Sequence, residues 1–358
     1  METQALAAEQ PRRTIWAGVA GTLGFAAIFA VGINWAKWTP YLHKLETIRR
    51  TRLWPGSDIL AKAGNARAAP SLHGAWTFTV AYVNSVWPAV VAALVISAAI
   101  EALVPRRWLL RVVARRSDLG GSFAGGVLAL PSLMCTCCTA PVAATLRRSG
   151  ASTSAALAYW LGNPVLNPAV LVFLALVAPW QWVATRIVMG VVLVFGVSAL
   201  VARLADRGRS RPEIDVEALP EYRLADTPRR YALALARLCA TLLPEYALVV
   251  FLLGLFRGWI FPFDGSAMHW GIVAVVVAAL LGTLVVLPTG GEIPIVQGLA
   301  LAGVGAGVQG ALLIVLPAIS LVSMAMVVRE LSVRVTLGAA VGVAATGIGA
   351  GVLLAVLS

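Results

Sequence analysis

The residues of this sequence best suited to chemistry are three cysteines in the stretch LPSLMCTCCTAP, residues 130–141. They form the pattern C-x-C-C at Cys135, Cys137 and Cys138, between two prolines that interrupt a long apolar region. A cysteine thiolate is a soft ligand, so the pattern suits a thiophilic substrate such as trivalent arsenic, antimony, Cu(I) or Zn(II). Cysteine also serves as a small packing residue, but three in four positions at a helix break favour the ligand interpretation. We predict Cys135 and Cys137 as metal or metalloid ligands, with Cys138 in the same substrate site as a third ligand or a neighbour.

A second break is the stretch LPTGGEIP, residues 287–294. Gly290 and Gly291 permit a sharp turn or a close approach of the backbone. Glu292 is a carboxylate in an apolar region, where an ionisable residue is a candidate proton carrier or cation partner. Alternatively, Thr289 and Glu292 have the spacing of a capping box at a helix start. We predict that this turn contributes to the substrate site through Thr289, Gly290, Gly291 and Glu292.

Two asparagines flank a further proline in GNPVLNP, residues 162–168. Asn163 and Asn167 either line the substrate cavity or form hydrogen bonds between helices. We include both among the candidate substrate-binding residues. All three of these stretches depart from regular helix inside apolar sequence, and bare backbone amides are tolerated there only where protein or a water-filled cavity covers them. The breaks therefore predict an internal cavity.

The composition places these breaks in a membrane protein. Of the 358 residues, 59% are hydrophobic and 12% are charged, with a mean hydropathy of +0.86, whereas a soluble domain has about 25% charged residues. The net charge of +12 comes largely from arginines at the ends of apolar segments, where they set orientation. No basic soluble domain is evident, so we expect no nucleic-acid partner. Four cysteines in so long a chain do not indicate a disulfide scaffold, and the isolated Cys239 is interpreted as a packing residue.

Apolar segments of membrane-spanning length recur along the chain. They fall at about 15–35, 77–104, 119–147, 152–178, 181–204, 231–260, 270–303, 308–328 and 334–357. The first is longer than the apolar core of a signal peptide, which favours an uncleaved anchor. Residues 37–74 are polar and are predicted to form a loop, with room for an interfacial helix. Residues 205–230 are also polar and are predicted to be a linker. The predicted organisation is an N-terminal anchor and polar loop (1–76), a first membrane repeat (77–204), a linker (205–230) and a second membrane repeat (231–358).

The two predicted repeats share their prolines and glycines. Pro141, Gly150 and Pro164 each have a counterpart 153 residues later, at Pro294, Gly303 and Pro317. Upstream, Pro88 pairs with Pro244 and Pro105 with Pro262. These matches favour a duplicated fold over chance, so the predicted fold class is all-α, polytopic, with two internal repeats that each contain a broken or re-entrant helix.

The arginines predict the orientation of the repeats. Basic residues flank the cysteine stretch at Arg106, Arg107, Arg111, Arg115, Arg116, Arg147 and Arg148, and further ones follow the next span at Arg203, Arg207, Arg209 and Arg211. If basic loops are cytoplasmic, the cysteine stretch enters and leaves on one side as a hairpin, and Arg329 and Arg334 place the second break with both ends outside. Each half then has three full spans and one hairpin, which makes the repeats inverted, as in many transporters.

Two features favour parallel repeats instead. Trp270 to Pro288 is long enough to cross a membrane unaided, and the basic loop at 37–74 would lie outside. Parallel repeats are therefore kept as the alternative.

The motifs resemble the ArsP-type permeases over about residues 77–357. The span WP…EALVP precedes the cysteines, and Cys135, Cys137 and Pro141 are similar to the family pattern C-x-C-x-x-x-P. LRRSGAS, the NP turn and LPTGGEIP are similar to further family motifs. The resemblance implies membrane efflux with Cys135 and Cys137 as metalloid ligands, and some members export trivalent organoarsenicals. Cys138 stands where a small hydroxyl residue is commoner, and TGGE differs from the branch associated with organoarsenicals, so the resemblance leaves the substrate open.

Together these features predict an inner-membrane permease that exports a trivalent organoarsenical or a related metalloid or metal, coupled to protons. Glu292 is predicted to face the cysteines across the interface of the repeats and to carry a coupling proton, because thiols shed protons to bind. The expected partners are the small-molecule or metalloid substrate and the lipid bilayer, with a homo-oligomer left open. We expect no cofactor and no enzymatic activity, and no P-loop motif for direct use of ATP is present.

Two other functions remain as alternatives. A membrane thiol redox relay would need a reactive cysteine pair, and a two-fold version would need one in each half, whereas the second half contains only Cys239. A permease or channel for another small anion or sulfur compound would use the glycine-rich break and helix dipoles without a thiolate bond.

Overall fold

The computed structural model describes residues 2–52, 71–105, 117–207, 224–260, 271–301 and 303–358. Within these ranges the chain is helical apart from short turns, and it contains no strand. This confirms the predicted all-α fold class. The arginines between 106 and 116, and also Arg209, Arg211, Pro262 and Trp270, lie outside the described residues.

Fifteen α-helices are found in the described ranges. They are α1 Glu2–Ile33, α2 Thr39–Thr51, α3 Leu72–Leu103, α4 Asp118–Ala129, α5 Thr136–Arg148, α6 Thr153–Val165, α7 Pro168–Val177, α8 Trp180–Val191, α9 Ser198–Ala205, α10 Thr227–Ile260, α11 Ile272–Gly282, α12 Glu292–Leu301, α13 Ala306–Ala318, α14 Leu321–Leu331 and α15 Val333–Leu357. Two π-helical segments join helices without a break, Asn34–Trp38 between α1 and α2 and Val192–Val197 between α8 and α9.

Six continuous helical stretches in the described part of the chain are long and apolar enough to cross a membrane. They are Trp16–Thr51, Leu72–Leu103, Thr153–Val177, Trp180–Ala205, Thr227–Leu255 and Val333–Leu357. A seventh span results if α13 and α14, which are bent by 52° at their junction, are counted as one. The spans expose many large apolar side chains, as expected of helices that face lipid. The chain is a polytopic membrane protein, as its composition predicts.

The N-terminal helix continues beyond the predicted end of the first span. Instead of a loop from Lys37, the structure has the π-helical segment and then α2, which ends at Arg52 in the left-handed conformation. Residues 39–51 contain no glycine, and Pro40 lies in the first turn of α2, where proline is tolerated. Tyr41 and Ile48 are buried, so packing supports the helix; residues 53–70 of the predicted loop lie outside the described residues.

The first break lies between two helices that are too short to cross a membrane. α4 has 12 residues and α5 has 13, which corresponds to about 18–20 Å at 1.5 Å per residue, against about 30 Å for a bilayer core. A 3-10 turn, Leu130–Ser132, ends α4, and Leu133 follows with a φ of 51°. A non-glycine residue in the left-handed region is strained, so the backbone turns sharply just before the cysteines.

The second break is longer than its sequence predicts. Trp270–Pro288 was interpreted as long enough to cross unaided, but α11 ends at Gly282 after 11 residues. Residues 285–288 are non-helical, and a turn with Gly290 at a φ of 82° leads into α12. Glycine adopts this backbone conformation without strain. The apolar stretch is thus a short helix followed by a non-helical segment, and inverted repeats, with parallel repeats as the alternative, remain the prediction.

The described helices follow each other in the same order in both halves. Each half begins with a long helix that contains a proline, α3 with Pro88 and α10 with Pro244. A broken pair follows, then a helix with a proline near its end, α6 with Pro164 and α13 with Pro317, and finally an apolar span. This order is the one expected from the sequence matches; the duplication itself and the inverted orientation remain predictions.

Close helix packing holds the first break in place. A Cβ atom added to Gly125 of α4 would lie 2.0 Å from the carbonyl oxygen of Ala155 in α6. Only glycine allows the two backbones to approach so closely. α4 and α6 are therefore packed in close backbone contact. α5 packs against α3, α6 and α14.

Candidate functional site

The three cysteines of the first break come together as one buried cluster. The Sγ atom of Cys135 lies 3.1 Å from that of Cys137 and 2.8 Å from that of Cys138, and the latter two are 4.0 Å apart. Each residue is at most 2% exposed. In the described part of the chain, these three residues form the only group of three or more histidines, cysteines or carboxylates arranged to hold a metal ion.

Local backbone geometry brings the sulfurs together. Cys135 is the extended N-cap residue of α5, and Cys137 and Cys138 lie in the first turn of that helix. The carbonyl oxygen of Cys135 accepts hydrogen bonds from the backbone amides of Cys138 at 3.1 Å and Thr139 at 3.0 Å. Since residues three apart share a helix face, Cys135 and Cys138 lie on one side, with Cys137 adjacent. The C-x-C-C spacing at a helix start is therefore the reason for the cluster.

Helix α6 supports the backbone of the break from behind. The side chain of Asn163 accepts a hydrogen bond of 3.4 Å from the backbone amide of Met134 and donates one of 3.0 Å to the carbonyl of Tyr159. Trp160 donates through Nε1 to the carbonyl of Thr136 at 3.3 Å. Asn163 thus bonds between elements, one of the two roles that the sequence left open, and it positions the residue directly before Cys135.

Two tyrosine hydroxyls lie near Cys137. Tyr82 of α3 is 3.2 Å from its Sγ atom, and Tyr246 of α10 is 3.9 Å away. The two rings lie 6.2 Å apart. One phenol from each of these two long helices therefore lies against the cluster. A small, largely apolar cavity beside Cys137 and Cys138 is also lined by Tyr246.

The N-terminal span contacts both breaks. Trp38 donates to the carbonyl of Pro131 at 3.3 Å, and the hydroxyl of Tyr41 donates to the carbonyl of Leu133 at 3.4 Å. The ammonium of Lys37 donates to the hydroxyl of Thr289 at 3.3 Å and lies 5.5 Å from the ring centre of Tyr41. Lys37 therefore contacts the second break, whereas Trp38 and Tyr41 form hydrogen bonds with the backbone of the first break.

Glu292 forms a buried ion pair with an arginine, and its role opposite the cysteines remains a prediction. Its Oε1 atom lies 2.7 Å from Nη1 of Arg186, and the two side chains are 1% and 0% exposed. Arg186, on α8, also donates to the carbonyls of Pro164 at 2.9 Å and Val165 at 3.1 Å. The carboxylate thus neutralises an arginine that joins the end of α6 to the second break.

The remaining predicted residues have local roles in the backbone. Asn167 is the N-cap of α7, and its Oδ1 atom accepts from the amides of Ala169 and Val170. Gly290 and Gly291 form the turn before α12, and the amide of Gly291 donates to the carbonyl of Pro288 at 2.9 Å. The hydroxyl of Thr289 binds Lys37 rather than closing a capping box. No contact of these residues with substrate is tested by the structure, so their part in binding remains a prediction.

Five residues of the site were missed from the sequence, namely Lys37, Tyr41, Tyr82, Arg186 and Tyr246. A signal existed for Lys37 and Arg186, because each is an ionisable residue inside an apolar stretch, where such residues are functional candidates. The tyrosines gave no signal, since a tyrosine in a long apolar helix is also an ordinary packing residue.

These features define the class of the protein. In the described part of the chain, six or seven apolar spans accompany two non-helical breaks and a buried cysteine cluster, which is the architecture of a multi-pass membrane protein.

The chain belongs to the ArsP_1 family, whose model carries the description "Predicted permease" and matches residues 71–356. It is also 39% identical over 303 residues to the UPF0718 protein YraQ of Escherichia coli strain K12, a match that covers 84% of this chain and 85% of that protein. No solved structure matches the chain significantly. The predicted resemblance to the ArsP-type permeases is confirmed.

Proposed function

We propose that this chain is a permease that exports a thiophilic small molecule, a trivalent organoarsenical or a related metalloid or metal, across the cell inner membrane. The observation that supports this most is the convergence of three cysteine sulfurs, all within 4.8 Å of one another, at a helix break in the protein interior. Soft sulfur ligands select soft ions. The permease family supports transport rather than an enzymatic reaction.

The cluster offers reversible bonds to such a substrate. A dihydroxy organoarsenical would form two As–S bonds with two thiols, and its two hydroxyl groups would leave with the thiol protons as two water molecules. A metal cation would instead displace the thiol protons themselves, since the thiolate is the ligand form. Cys135 and Cys137 are the proposed ligands, and Cys138, 2.8 Å from Cys135, is placed to act as a third.

The arrangement of the breaks suits alternating access. In many transporters, two repeats meet near the membrane centre, where broken helices form the binding site, and one repeat rocks against the other. Here, α5 begins at the cysteines and α12 begins at Glu292, and Lys37 and Arg186 link the second break to the rest of the bundle. We propose that the two breaks belong to such a pair of inverted repeats.

Proton coupling in this scheme is assigned to the thiols. Glu292 is held by Arg186 at 2.7 Å with both groups buried, so its carboxylate already has a fixed partner. Thiol groups that lose protons when a cation binds and regain them when it leaves couple the two flows directly.

Transport in everted membrane vesicles tests this function. Uptake of methylarsenite and of Cu(I) would be measured with and without a proton gradient, for the unmodified protein and for Cys135→Ser and Cys137→Ser. We expect each variant to lose uptake of the transported probe, whereas Cys239→Ser, outside the cluster, serves as the matched control and should retain it. Unchanged uptake in both cluster variants would refute the role of the thiolates.

The redox relay receives less support from the structure. The fourth cysteine, Cys239, is partly buried on α10, and the second break contains no thiol, so the described chain provides no second station for electrons. A titration that found a reversible dithiol–disulfide couple between cluster cysteines, together with loss of transport, would favour the relay instead.

A further inference from the structure

Lys37 is a buried cation near the cysteine break, and its charge has no part in the function proposed above. It is only 8% exposed, its ammonium lies 5.5 Å from the ring centre of Tyr41, and the hydroxyl of Tyr41 donates to the carbonyl of Leu133, two residues before Cys135. It precedes residues 71–356, the part of the chain that matches the family. The N-terminal span therefore adds a positive charge to a site whose sulfur ligands come from the family core.

The ammonium of Lys37 has neutral neighbours rather than a carboxylate. Its side-chain contacts are the hydroxyl of Thr289 at 3.3 Å and the ring of Tyr41 at 5.5 Å. The ion pairs found among the described residues involve arginines, and none includes Lys37. A buried charge is costly unless an opposite charge balances it. The thiols of the cluster would supply this opposite charge once a bound cation displaces their protons.

We propose that Lys37 is a binding residue of the substrate site and that it makes the site select a soft metal cation, Cu(I), over an organoarsenical. This inference narrows the proposed function and rests on it. The positive charge of Lys37 balances a thiolate complex that carries one negative charge. The hydrogen bond from Lys37 to Thr289 connects this charged group to the second break.

The balance of charges distinguishes the two kinds of substrate. One Cu⁺ ion and two thiols give a dithiolate complex with one negative charge and release two protons, so the complex and Lys37 together are neutral. A monoorganic arsenical and two thiols give a neutral complex and two water molecules, which leaves the charge of Lys37 unbalanced. Because an uncompensated charge is costly in an apolar interior, the site favours the cation. Only the cation also exchanges protons with solvent.

The number of ligands favours Cu(I) over Zn(II). Structural zinc sites close a tetrahedron of four protein ligands, whereas the cluster contributes three sulfurs, and no histidine or carboxylate joins them in the described part of the chain. Soft thiolates suit Cu(I). Tyr82, 3.2 Å from Cys137, can donate a hydrogen bond to that sulfur when it serves as a thiolate ligand.

Binding to the purified full-length protein in detergent tests the proposal. Cu(I) affinity would be measured by competition with bicinchoninate, Zn(II) affinity with a fluorescent chelator, and organoarsenical affinity with phenylarsine oxide. The variants would be Lys37→Met, Lys37→Gln and Lys37→Arg, and Arg49→Met, an exposed cation on α2, is the matched control. Elution as a single species in size-exclusion chromatography would show that each variant is folded.

We expect Lys37→Met and Lys37→Gln to bind Cu(I) about tenfold to hundredfold more weakly, as for loss of a charged partner. Lys37→Arg and Arg49→Met should stay within about threefold of the unmodified protein. Phenylarsine oxide should bind the neutral variants as well as or better than the unmodified protein. This opposite response separates a charge effect from a structural one, because a distorted site would weaken both probes.

Three results would overturn the inference: equal losses for both probes, no loss for Cu(I), or Zn(II) binding that is tighter than Cu(I) binding and needs Cys138. These are distinct from failure of the proposed function, in which Cu(I) and phenylarsine oxide both bind Cys135→Ser and Cys137→Ser as tightly as the unmodified protein.

Discussion

Replacing Glu292 by glutamine would remove the counter-charge of Arg186 with little change in the size of the side chain. The Oε1 and Nη1 atoms are 2.7 Å apart, and the exposed fractions of the two side chains are 1% and 0%. The guanidinium would keep its hydrogen bonds to the carbonyls of Pro164 and Val165. After Glu292→Gln, the buried guanidinium of Arg186 has only uncharged hydrogen-bond acceptors around it.

The expected cost follows from this burial. Removing one partner of a buried ion pair costs about 3–5 kcal/mol, because the other charge is left uncompensated. Glu292→Gln should cost about 3 kcal/mol, since the amide oxygen can still accept a hydrogen bond. Arg186→Met should cost about 5 kcal/mol, because the carboxylate and two carbonyls all lose their donor. The double variant should cost at least about 2 kcal/mol less than the sum.

Unfolding of the purified protein in mixed micelles would measure these free energies, and the apparent Tm would give a second readout. At about 2 °C per kcal/mol for a large chain, Tm should fall by roughly 6 °C for Glu292→Gln and 10 °C for Arg186→Met. Glu46→Gln is the control, because Glu46 and Arg50 form an ion pair that is 54% and 77% exposed and should matter by less than about 0.5 kcal/mol. Additive costs in the double variant, or a Glu292→Gln cost no larger than that of the control, would refute the reasoning.

Two further predictions concern a tyrosine beside the cysteines and a close approach of two helices. Tyr82→Phe removes a hydroxyl 3.2 Å from the sulfur of Cys137, so it should weaken Cu(I) binding about fivefold, as for one hydrogen bond; an unchanged affinity in the chelator competition would contradict this contact. Gly125→Ala would place a Cβ atom 2.0 Å from the carbonyl oxygen of Ala155 and should lower the free energy of unfolding by about 1–3 kcal/mol. Gly196→Ala, where no atom lies within 4 Å, is its control, and equal effects of the two alanines on unfolding would show that α4 and α6 are not held by this close approach.

The two breaks could be located from the sequence because proline, glycine and polar residues stand out in apolar stretches. The structure places a non-helical segment at each of them, at residues 133–135 and at residues 285–291. Their extent was harder to predict. α11 ends at Gly282, although the apolar sequence continues to Leu287, because hydrophobicity reports burial in lipid or protein and does not distinguish helix from an extended segment.

The length of the N-terminal helical span could not be predicted from local sequence patterns. Its first apolar segment was recognised, but the continuation through Lys37 and α2 was not, because the polar and basic residues after Trp35 are also typical of a loop. In the structure, Tyr41 and Ile48 are buried and Trp38 bonds to the first break. Tertiary packing thus overrides the local preference and brings Lys37 to the second break.

The sequence by itself determined the membrane class, the family, the two breaks and the grouping of the cysteines, because these depend on composition and on residues close together in the chain. The C-x-C-C spacing was sufficient for three sulfurs to meet in the first turn of α5. Only the tertiary structure decided which charges face each other. Arg186 and Glu292 are 106 residues apart, and Lys37 and Thr289 are 252 apart. A buried charge must be balanced by whichever group the packed helices bring within a few ångströms, and chain order does not specify that group.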